Sequence, residues 1–346
     1  TTNNGTAVRI GNHAAGSSFA FTAVTASGGS GHGVNIFGLG SPGNGATHTV
    51  DLGTVTIDKT GAGNDGIHVI NSLGGPVRVA GGTVASQATA LYVMNAQVDM
   101  TFTSLSSDGT NDPTAPGIML SNQLGNLTVT GDGNNDGNGS GGHIQNKSGA
   151  GVEVNRGDDL TFFELDVTTS GDGYDLAGLN FGGHFLRGAT IAAGGVGVRV
   201  SDDSGTTNVI LDNLDIDGGT DGISIDSSGT SSVVLTVADS TVDGTARGIV
   251  LVNSAAIEAT LSGNTVGGVT PPTGHELVGI TNTAGTLCVD PSVASNDFSA
   301  GTATLSADVG SPLVVVGDDQ TAVETANNVT ITAPGPGTVT YSSGCP

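Results

Sequence analysis

The chain has 346 residues, of which 59 are glycine and 11 are proline. It shows no Gly-X-Y period, so collagen is excluded. A formal net charge of −24, from 32 acidic and 8 basic residues, argues against a nucleic-acid partner and against contact with anionic membranes. No apolar run reaches the roughly 18 residues of a membrane-spanning helix, so we expect no membrane insertion.

A four-residue element recurs along the chain: a small residue, then an apolar, a variable and a second apolar residue. Its period-two alternation predicts a β-strand with one face on a core. A spacing of roughly 27 residues, with further short strands and turns between copies, predicts one coil of a β-solenoid per repeat. The copies are Ala7–Ile10, Gly33–Ile36, Gly66–Val69, Ala90–Val93, Gly117–Leu120, Gly151–Val154, Gly178–Phe181, Gly197–Val200, Gly222–Ile225, Gly248–Leu251 and a degraded copy at Gly279–Ile280.

A small polar residue, most often asparagine, follows two positions after the last apolar residue of most copies. Asparagine tolerates the left-handed backbone conformation that a sharp bend between strands requires. Stacked copies are therefore expected to bend alike and to form a hydrogen-bonded side-chain ladder. These residues are Asn12, Asn71, Asn95, Asn122, Asp202, Ser227 and Asn253.

Several segments resemble a known family. Gly222–Leu235 and Ser262–Val266 resemble repeats of right-handed parallel β-helix proteins of bacterial surface and secreted type, and Ser140–Val152 is similar to a stretch in large secreted members. The resemblance covers roughly residues 5–283. It implies an all-β fold, a right-handed parallel β-helix of about 11–13 coils over residues 1–284. It implies no single activity, because this fold hosts enzymes, adhesins and structural fibres.

The spacing changes in residues 285–346, where Pro334 and Pro336 interrupt the pattern. We expect a β-rich capping or docking segment there, with a small sandwich as the alternative. The two cysteines, Cys288 and Cys345, are predicted to form a disulfide that closes this segment. Disulfides persist in oxidising compartments, and a chain that starts without Met is typical of a processed product. We therefore expect an extracellular or cell-surface protein.

One loop has the spacing of oxygen ligands for calcium. Asp132, Asn134 and Asp136 alternate and are followed by Gly137, as at the start of a calcium loop. Position twelve of that template is His143 rather than a glutamate, so a polar loop between coils is the alternative. The seven histidines lack zinc spacing and are expected at the surface. No cofactor is expected to be required, and calcium is the candidate ion.

Many parallel β-helices cleave polysaccharides, and such enzymes carry characteristic motifs. The pectin-hydrolase family carries Asn-Thr-Asp, Asp-Asp, Gly-His-Gly and Arg-Ile-Lys in that order. Here Gly31-His32-Gly33 precedes every Asp-Asp pair, and neither Asn-Thr-Asp nor Arg-Ile-Lys occurs. Sugar clefts often use aromatic platforms, whereas this chain has no Trp and 3 Tyr. We therefore expect no catalytic residues.

The sequence offers sites for modification of an extracellular protein. Chance alone also produces Asn-X-Ser/Thr sequons in a chain so rich in these residues. The five candidate glycosylation sites are Asn4, Asn126, Asn138, Asn146 and Asn328.

The expected function is structural. End coils of a solenoid leave strand edges unpaired, which favours head-to-tail assembly with copies of the same chain. We expect a subunit of an extracellular filament, sheath or adhesive appendage. The alternative is a secreted polysaccharide-degrading enzyme, or a tailspike-like β-helix that binds surface glycans.

Overall fold

The structure is a computed structural model in which most of the chain is described. Two compact units form, residues 1–171 and 172–346. The described residues are 6–12, 16–40, 48–59, 64–110, 112–180, 182–202, 205–253, 255–267, 276–282, 286–290, 296, 304–309, 313–317, 319–327, 330–332, 339–343 and 345.

The first unit consists of short parallel strands, each paired with the equivalent strand one coil along the chain. Three such stacks are β1–β4–β7–β9–β11–β13, β2–β5–β7 and β3–β6–β8–β10–β12–β15. The strands are β1 (Val8–Gly11), β2 (Ser18–Ala20), β3 (Ala23–Ser27), β4 (Val34–Phe37), β5 (Thr49–Asp51), β6 (Thr54–Lys59), β7 (Ile67–Val79), β8 (Gly81–Ser86), β9 (Leu91–Phe102), β10 (Ser104–Ser107), β11 (Ile118–Val129), β12 (Gly142–Lys147), β13 (Val152–Gly157), β14 (Leu160–Phe163) and β15 (Leu165–Thr169).

The second unit repeats this arrangement, again with parallel pairing throughout its described strands. Its elements are β16 (Tyr174–Ala177), β17 (Gly182–Arg187), β18 (Thr190–Ala193), β19 (Val198–Asp202), β20 (Thr206–Asp212), β21 (Asp215–Gly218), β22 (Asp221–Ser227), β23 (Ser232–Ala238), β24 (Thr241–Gly244), β25 (Arg247–Asn253), β26 (Ala256–Ser262), β27 (Thr265–Gly267), β28 (Glu276–Asn282), β29 (Thr286–Asp290), β30 (Thr304–Val309), β31 (Leu313–Val316), α1 (Gln320–Asn327), β32 (Thr330–Thr332) and β33 (Val339–Ser342).

The predicted fold class is confirmed. Across the described residues the chain is an all-β parallel solenoid of about ten turns, against an expectation of about 11–13. The alternating apolar residues form its core: Ile223 and Ile225 are fully buried and lie in register with Ile249 and Leu251 of the next coil. The described part of the chain has no helix of the length and hydrophobicity needed to cross a membrane.

For two repeat copies, the strand register in the structure differs from the predicted one. Tyr174, rather than Leu179, pairs with Val198 and is fully buried, so the true copy begins at Gly173. Both Gly173–Leu176 and Gly178–Phe181 fit the small–apolar–variable–apolar pattern, and only coil-to-coil pairing distinguishes them. Likewise, Ile249 pairs with Val278, which places Gly279 at the variable position.

The predicted asparagine bend occurs in the first unit. Asn12, Asn71, Asn95 and Asn122 all have left-handed φ values between 50° and 52°. Their side chains form a ladder: the amide of Asn95 donates to Asn71 Oδ1 at 3.2 Å, and that of Asn122 donates to Asn95 Oδ1 at 3.1 Å. The same backbone conformation repeated at each coil keeps the coils in register.

In the second unit, Asp202 and Ser227 do not have a left-handed backbone conformation, so the prediction of a bend at these two residues is wrong. Both are buried last residues of β19 and β22 and lie inside the coil. In this unit a ladder of asparagine side chains forms at other positions. Asn264 donates to Asn296 Oδ1 at 3.1 Å and Asn296 donates to Asn327 Oδ1 at 2.9 Å, and all three side chains are buried.

Residues 285–346 were expected to form a β-rich cap. In the described residues, parallel pairing runs from β26 to β29 and on to β31 and β33. A disulfide joins Cys288 and Cys345, whose Cα atoms are 5.7 Å apart. The bridge attaches Cys345 to β29.

Candidate functional site

Three side chains meet on the outer wall of the first unit: His32, Asp65 and His68. His32 lies just before β4, and Asp65 and His68 lie just before and within β7, which pairs with β4. Asp65 Oδ2 is 2.5 Å from His68 Nδ1 and 3.4 Å from His32 Nδ1. The Asp65 backbone N–H donates to His32 Nδ1 at 3.1 Å. We call these three residues the His–Asp–His cluster.

An aromatic ring and a glycine help to position the cluster. The ring of Tyr92, one coil further on, stacks on His68 with centroids 4.6 Å apart and an interplanar angle of 5°. Gly33 allows the two loops to approach, because a Cβ atom there would lie 2.5 Å from the Gly66 carbonyl oxygen. Burial lowers the pKa of His32, and the carboxylate of Asp65 partly opposes this shift. The histidine is therefore neutral over a wider pH range than a free one.

Sequence reasoning missed this cluster. The order of Gly31-His32-Gly33 relative to the Asp-Asp pairs differs from that of the enzyme motifs, and the histidines lack zinc spacing, so the sequence predicted surface histidines with no catalytic role. The side chains of His32 and His68 are only 24% and 19% exposed. The available signal was positional: His32 and Asp65 both directly precede the small residue that opens a repeat, and such positions stack between neighbouring coils.

The predicted calcium loop contains a carboxylate cluster with a different third member. Ligand oxygens of Asp132, Asp136 and Glu164 lie within 4.8 Å of one another. Glu164, 28 residues beyond Asp136, is fully buried and has a left-handed φ of 55°. Asn134 lies in the turn, where its backbone N–H donates to Asp132 Oδ1 at 2.9 Å. His143 instead lies 3.4 Å from Asp166 Oδ2.

The loop's own donors already occupy these oxygens. The backbone N–H groups of Asp132 and Asp136 each donate to the Glu164 carboxylate at 3.1 Å, and the Ser140 hydroxyl donates to it as well. Hydrogen bonds from Asn134 and Asn138 lower the pKa of Asp132. The buried glutamate thus organises the loop by accepting hydrogen bonds from two backbone N–H groups and one hydroxyl. Calcium binding there stays a prediction.

The sequons fall into two groups. Asn126, Asn138 and Asn146 are exposed. Asn138 donates to Asp132 Oδ2 at 2.9 Å, and Asn146 donates to the Asp108 carbonyl oxygen at 2.9 Å. Asn4 and Asn328 lie outside the described residues.

Acidic and basic side chains pair on the outer wall of the second unit. Arg199 Nε donates to Asp172 Oδ2 at 3.0 Å, and Asp175 lies in register with Arg199 on the neighbouring strand. Burial raises the pKa of Asp175, and Arg199 partly opposes this. Arg247 makes a similar link, donating to both carboxylate oxygens of Asp221 at 2.9 and 3.0 Å.

Both lysines of the chain point inward, which the sequence did not indicate. Lys147 is 2% exposed, and its Nζ donates to the carbonyl oxygens of Ala88 at 2.9 Å and Asp112 at 3.0 Å. Burial lowers the pKa of Lys147 to about 8. Lys59 is 1% exposed and donates to the Gly28 carbonyl oxygen. Both ammonium groups thus connect neighbouring coils by satisfying loop carbonyls.

Comparison with known proteins agrees with this architecture. No curated protein and no solved structure gives a significant match to the chain. Residues 128–298 match the family model described as right handed beta helix region. This match covers just under half of the chain and, together with the stacked parallel coils, shows that the fold is a right-handed parallel β-helix.

Proposed function

We propose that this chain is a structural extracellular β-helix that assembles end to end with copies of itself. The observation that carries the proposal is the strand edge of the first coil. β3 pairs with β6 on one side, and no strand of the described residues pairs with its other side. An edge of this kind accepts a further strand with the same parallel geometry.

The backbone of β3 leaves hydrogen-bonding groups on that edge. The N–H of Gly28 donates to the Asp58 carbonyl oxygen of the next coil at 2.8 Å. Because alternate residues of a strand bond to the same neighbour, the N–H and C=O groups of Thr25 point to the opposite side. Stacking another copy on this edge would satisfy these groups as coils do within the chain.

The side walls favour axial over lateral contacts. Their polar groups pair from coil to coil, as in the Asn71–Asn95–Asn122 ladder and the Arg247–Asp221 ion pair. A net charge of −24 makes walls of separate copies repel, and salt or divalent cations screen that repulsion. Growth along the axis is therefore the favoured mode.

The extracellular part of the proposal rests on covalent chemistry. The Cys288–Cys345 disulfide is compatible with an oxidising compartment. Exposed sequons at Asn126, Asn138 and Asn146 would be accessible to glycosylation there.

A proline at Thr25 tests end-to-end assembly. It removes an N–H from the free edge without removing a bond to the next coil, and proline is tolerated on such edges. Thr25→Ala, which retains the N–H, is the matched control. Sedimentation velocity over a concentration series, with electron microscopy, should show the wild type and Thr25→Ala associating and Thr25→Pro associating less.

Equal melting temperatures would show that both variants fold. A wild type that stays monomeric at high concentration, in low and high salt and with calcium, refutes the assembly. Equal association of Thr25→Pro and wild type refutes this edge as the contact.

Cleavage or binding of polysaccharides is the second candidate, supported by Asp172, Asp175 and Arg199. Burial raises the pKa of Asp175, and a carboxyl of this kind beside a second carboxylate and a guanidinium suits general acid–base cleavage of a glycosidic bond. Release of reducing ends from a panel of neutral and acidic polysaccharides tests this. Asp175→Asn should abolish the release of reducing ends, whereas Asp226→Asn, at an exposed position, should leave it unchanged. No release by the wild type across the panel would exclude the activity.

A further inference from the structure

We propose that the His–Asp–His cluster binds one divalent transition-metal ion of the zinc class. Its three side chains offer two imidazole nitrogens and one carboxylate oxygen within 4.8 Å of one another. This donor set, with a fourth position left to water, is one that zinc accepts. The site is independent of the proposed assembly.

The spacing of the donor atoms fits a tetrahedral ion after a small adjustment. With metal–ligand bonds of about 2.0–2.1 Å, tetrahedral ligand atoms lie roughly 3.3 Å apart. His32 Nδ1 and Asp65 Oδ2 are 3.4 Å apart, which already matches. His68 Nδ1 and Asp65 Oδ2 are 2.5 Å apart and must separate by less than about 1 Å.

The hydrogen bonds inside the cluster are those that a metal ion replaces. The contact between Asp65 Oδ2 and His68 Nδ1 becomes a pair of coordinate bonds to a shared ion. The Asp65 N–H now donates to His32 Nδ1, and this bond is exchanged for coordination. Tyr92 holds the His68 ring by stacking, so one ligand needs little reorganisation.

Access and charge also favour a cation. Side-chain exposures of 24% for His32, 15% for Asp65 and 19% for His68 leave the cluster open on one side. The net charge of −24 raises the local concentration of cations. Imidazole ligands select zinc-class ions over calcium, which takes oxygen ligands, so the cluster differs in metal preference from the Asp132 loop.

A bound ion would connect two coils. His32 belongs to the loop before β4, and Asp65 and His68 belong to the loop before β7 and to β7 itself. An ion that binds only the folded arrangement stabilises it by mass action. Zinc should therefore raise the melting temperature of the chain, by an amount that grows with zinc concentration.

The test is titration of the full chain, without a histidine tag, with zinc alone. Isothermal titration calorimetry should give one site, and cobalt substitution should give the visible absorption of a tetrahedral ion. His32→Ala and His68→Ala should each weaken binding beyond the roughly 10–100-fold that loss of an outer-shell partner causes. The melting shift with zinc should disappear in both.

His143→Ala is the matched control, because His143 also lies 3.4 Å from a carboxylate, that of Asp166, but has no second histidine beside it among the described residues. It should bind zinc like the wild type. His68→Gln retains a similar size and tests binding if His68→Ala fails to fold. The proposal is overturned if the wild type binds no zinc, or if the cluster variants bind it as tightly as His143→Ala does.

Discussion

Ile223 offers a direct measure of what coil stacking contributes. Its side chain is fully buried in the second unit and lies between Val198 of the preceding coil and Ile249 of the following one. Neighbouring Asp226 lies on the same strand and is exposed. Ile223→Ala therefore perturbs the core, and Asp226→Ala perturbs the wall of the same strand.

The expected loss of free energy of unfolding in Ile223→Ala follows from the burial of the Ile223 side chain. Removal of three buried carbon atoms loses roughly 2–3 kcal/mol at about 0.8 kcal/mol per methylene group. The cavity left between Val198 and Ile249 adds to this, within the range of about 2–5 kcal/mol for such substitutions. At about 2–4 °C per kcal/mol for a domain of this size, a loss of 3 kcal/mol lowers the melting temperature by about 6–12 °C. Ile223→Asp should lower it further, because it also buries a polar group.

Thermal and urea unfolding followed by circular dichroism measure these changes. Asp226→Ala should lie within about 0.5 kcal/mol of the wild type, as is usual for exposed positions. If Ile223→Asp melts within a degree or two of the wild type, Ile223 does not face a dry core. The same result would show that the register assigned to β22 is wrong.

Three further predictions concern charge and covalent links. Reduction of the Cys288–Cys345 disulfide should destabilise the protein by about 4 kcal/mol at most, and free thiols found by mass spectrometry of unreduced protein would contradict the bridge. Lys147 has a pKa of about 8 in the folded chain and a higher one in the unfolded chain. Between pH 8 and pH 10 the unfolded chain therefore binds more protons, and the free energy of unfolding should rise with pH. Lys147→Met should reduce that rise in urea unfolding measured at several pH values, and an unchanged pH dependence would contradict the prediction. If calcium binds at Asp132, chelation should lower the melting temperature of the wild type but not that of Asp132→Ala or Glu164→Gln. Identical wild-type melting temperatures with and without chelator would exclude calcium binding at this loop.

The sequence by itself determined the coil. Alternation of apolar and variable residues depends on the strand period of two, so the burial of Ile223 and Ile225 could be predicted without knowing their neighbours. The left-handed bends at Asn71 and Asn95 follow from the conformational preference of asparagine, which is also local. The disulfide could be predicted because the chain has only two cysteines, which can pair only with each other within one chain.

The tertiary structure decided which loops meet. Coil lengths vary, so sequence spacing does not reveal which residues stack, and Gly178–Phe181 was mistaken for the copy that begins at Gly173. His32 and Asp65 are 33 residues apart, and Glu164 lies 28 residues beyond Asp136. Such residues come together only because parallel pairing places each loop beside the loop one coil away. Local patterns determine how a strand bends and which face it buries, whereas the contacts between loops depend on the register of every coil.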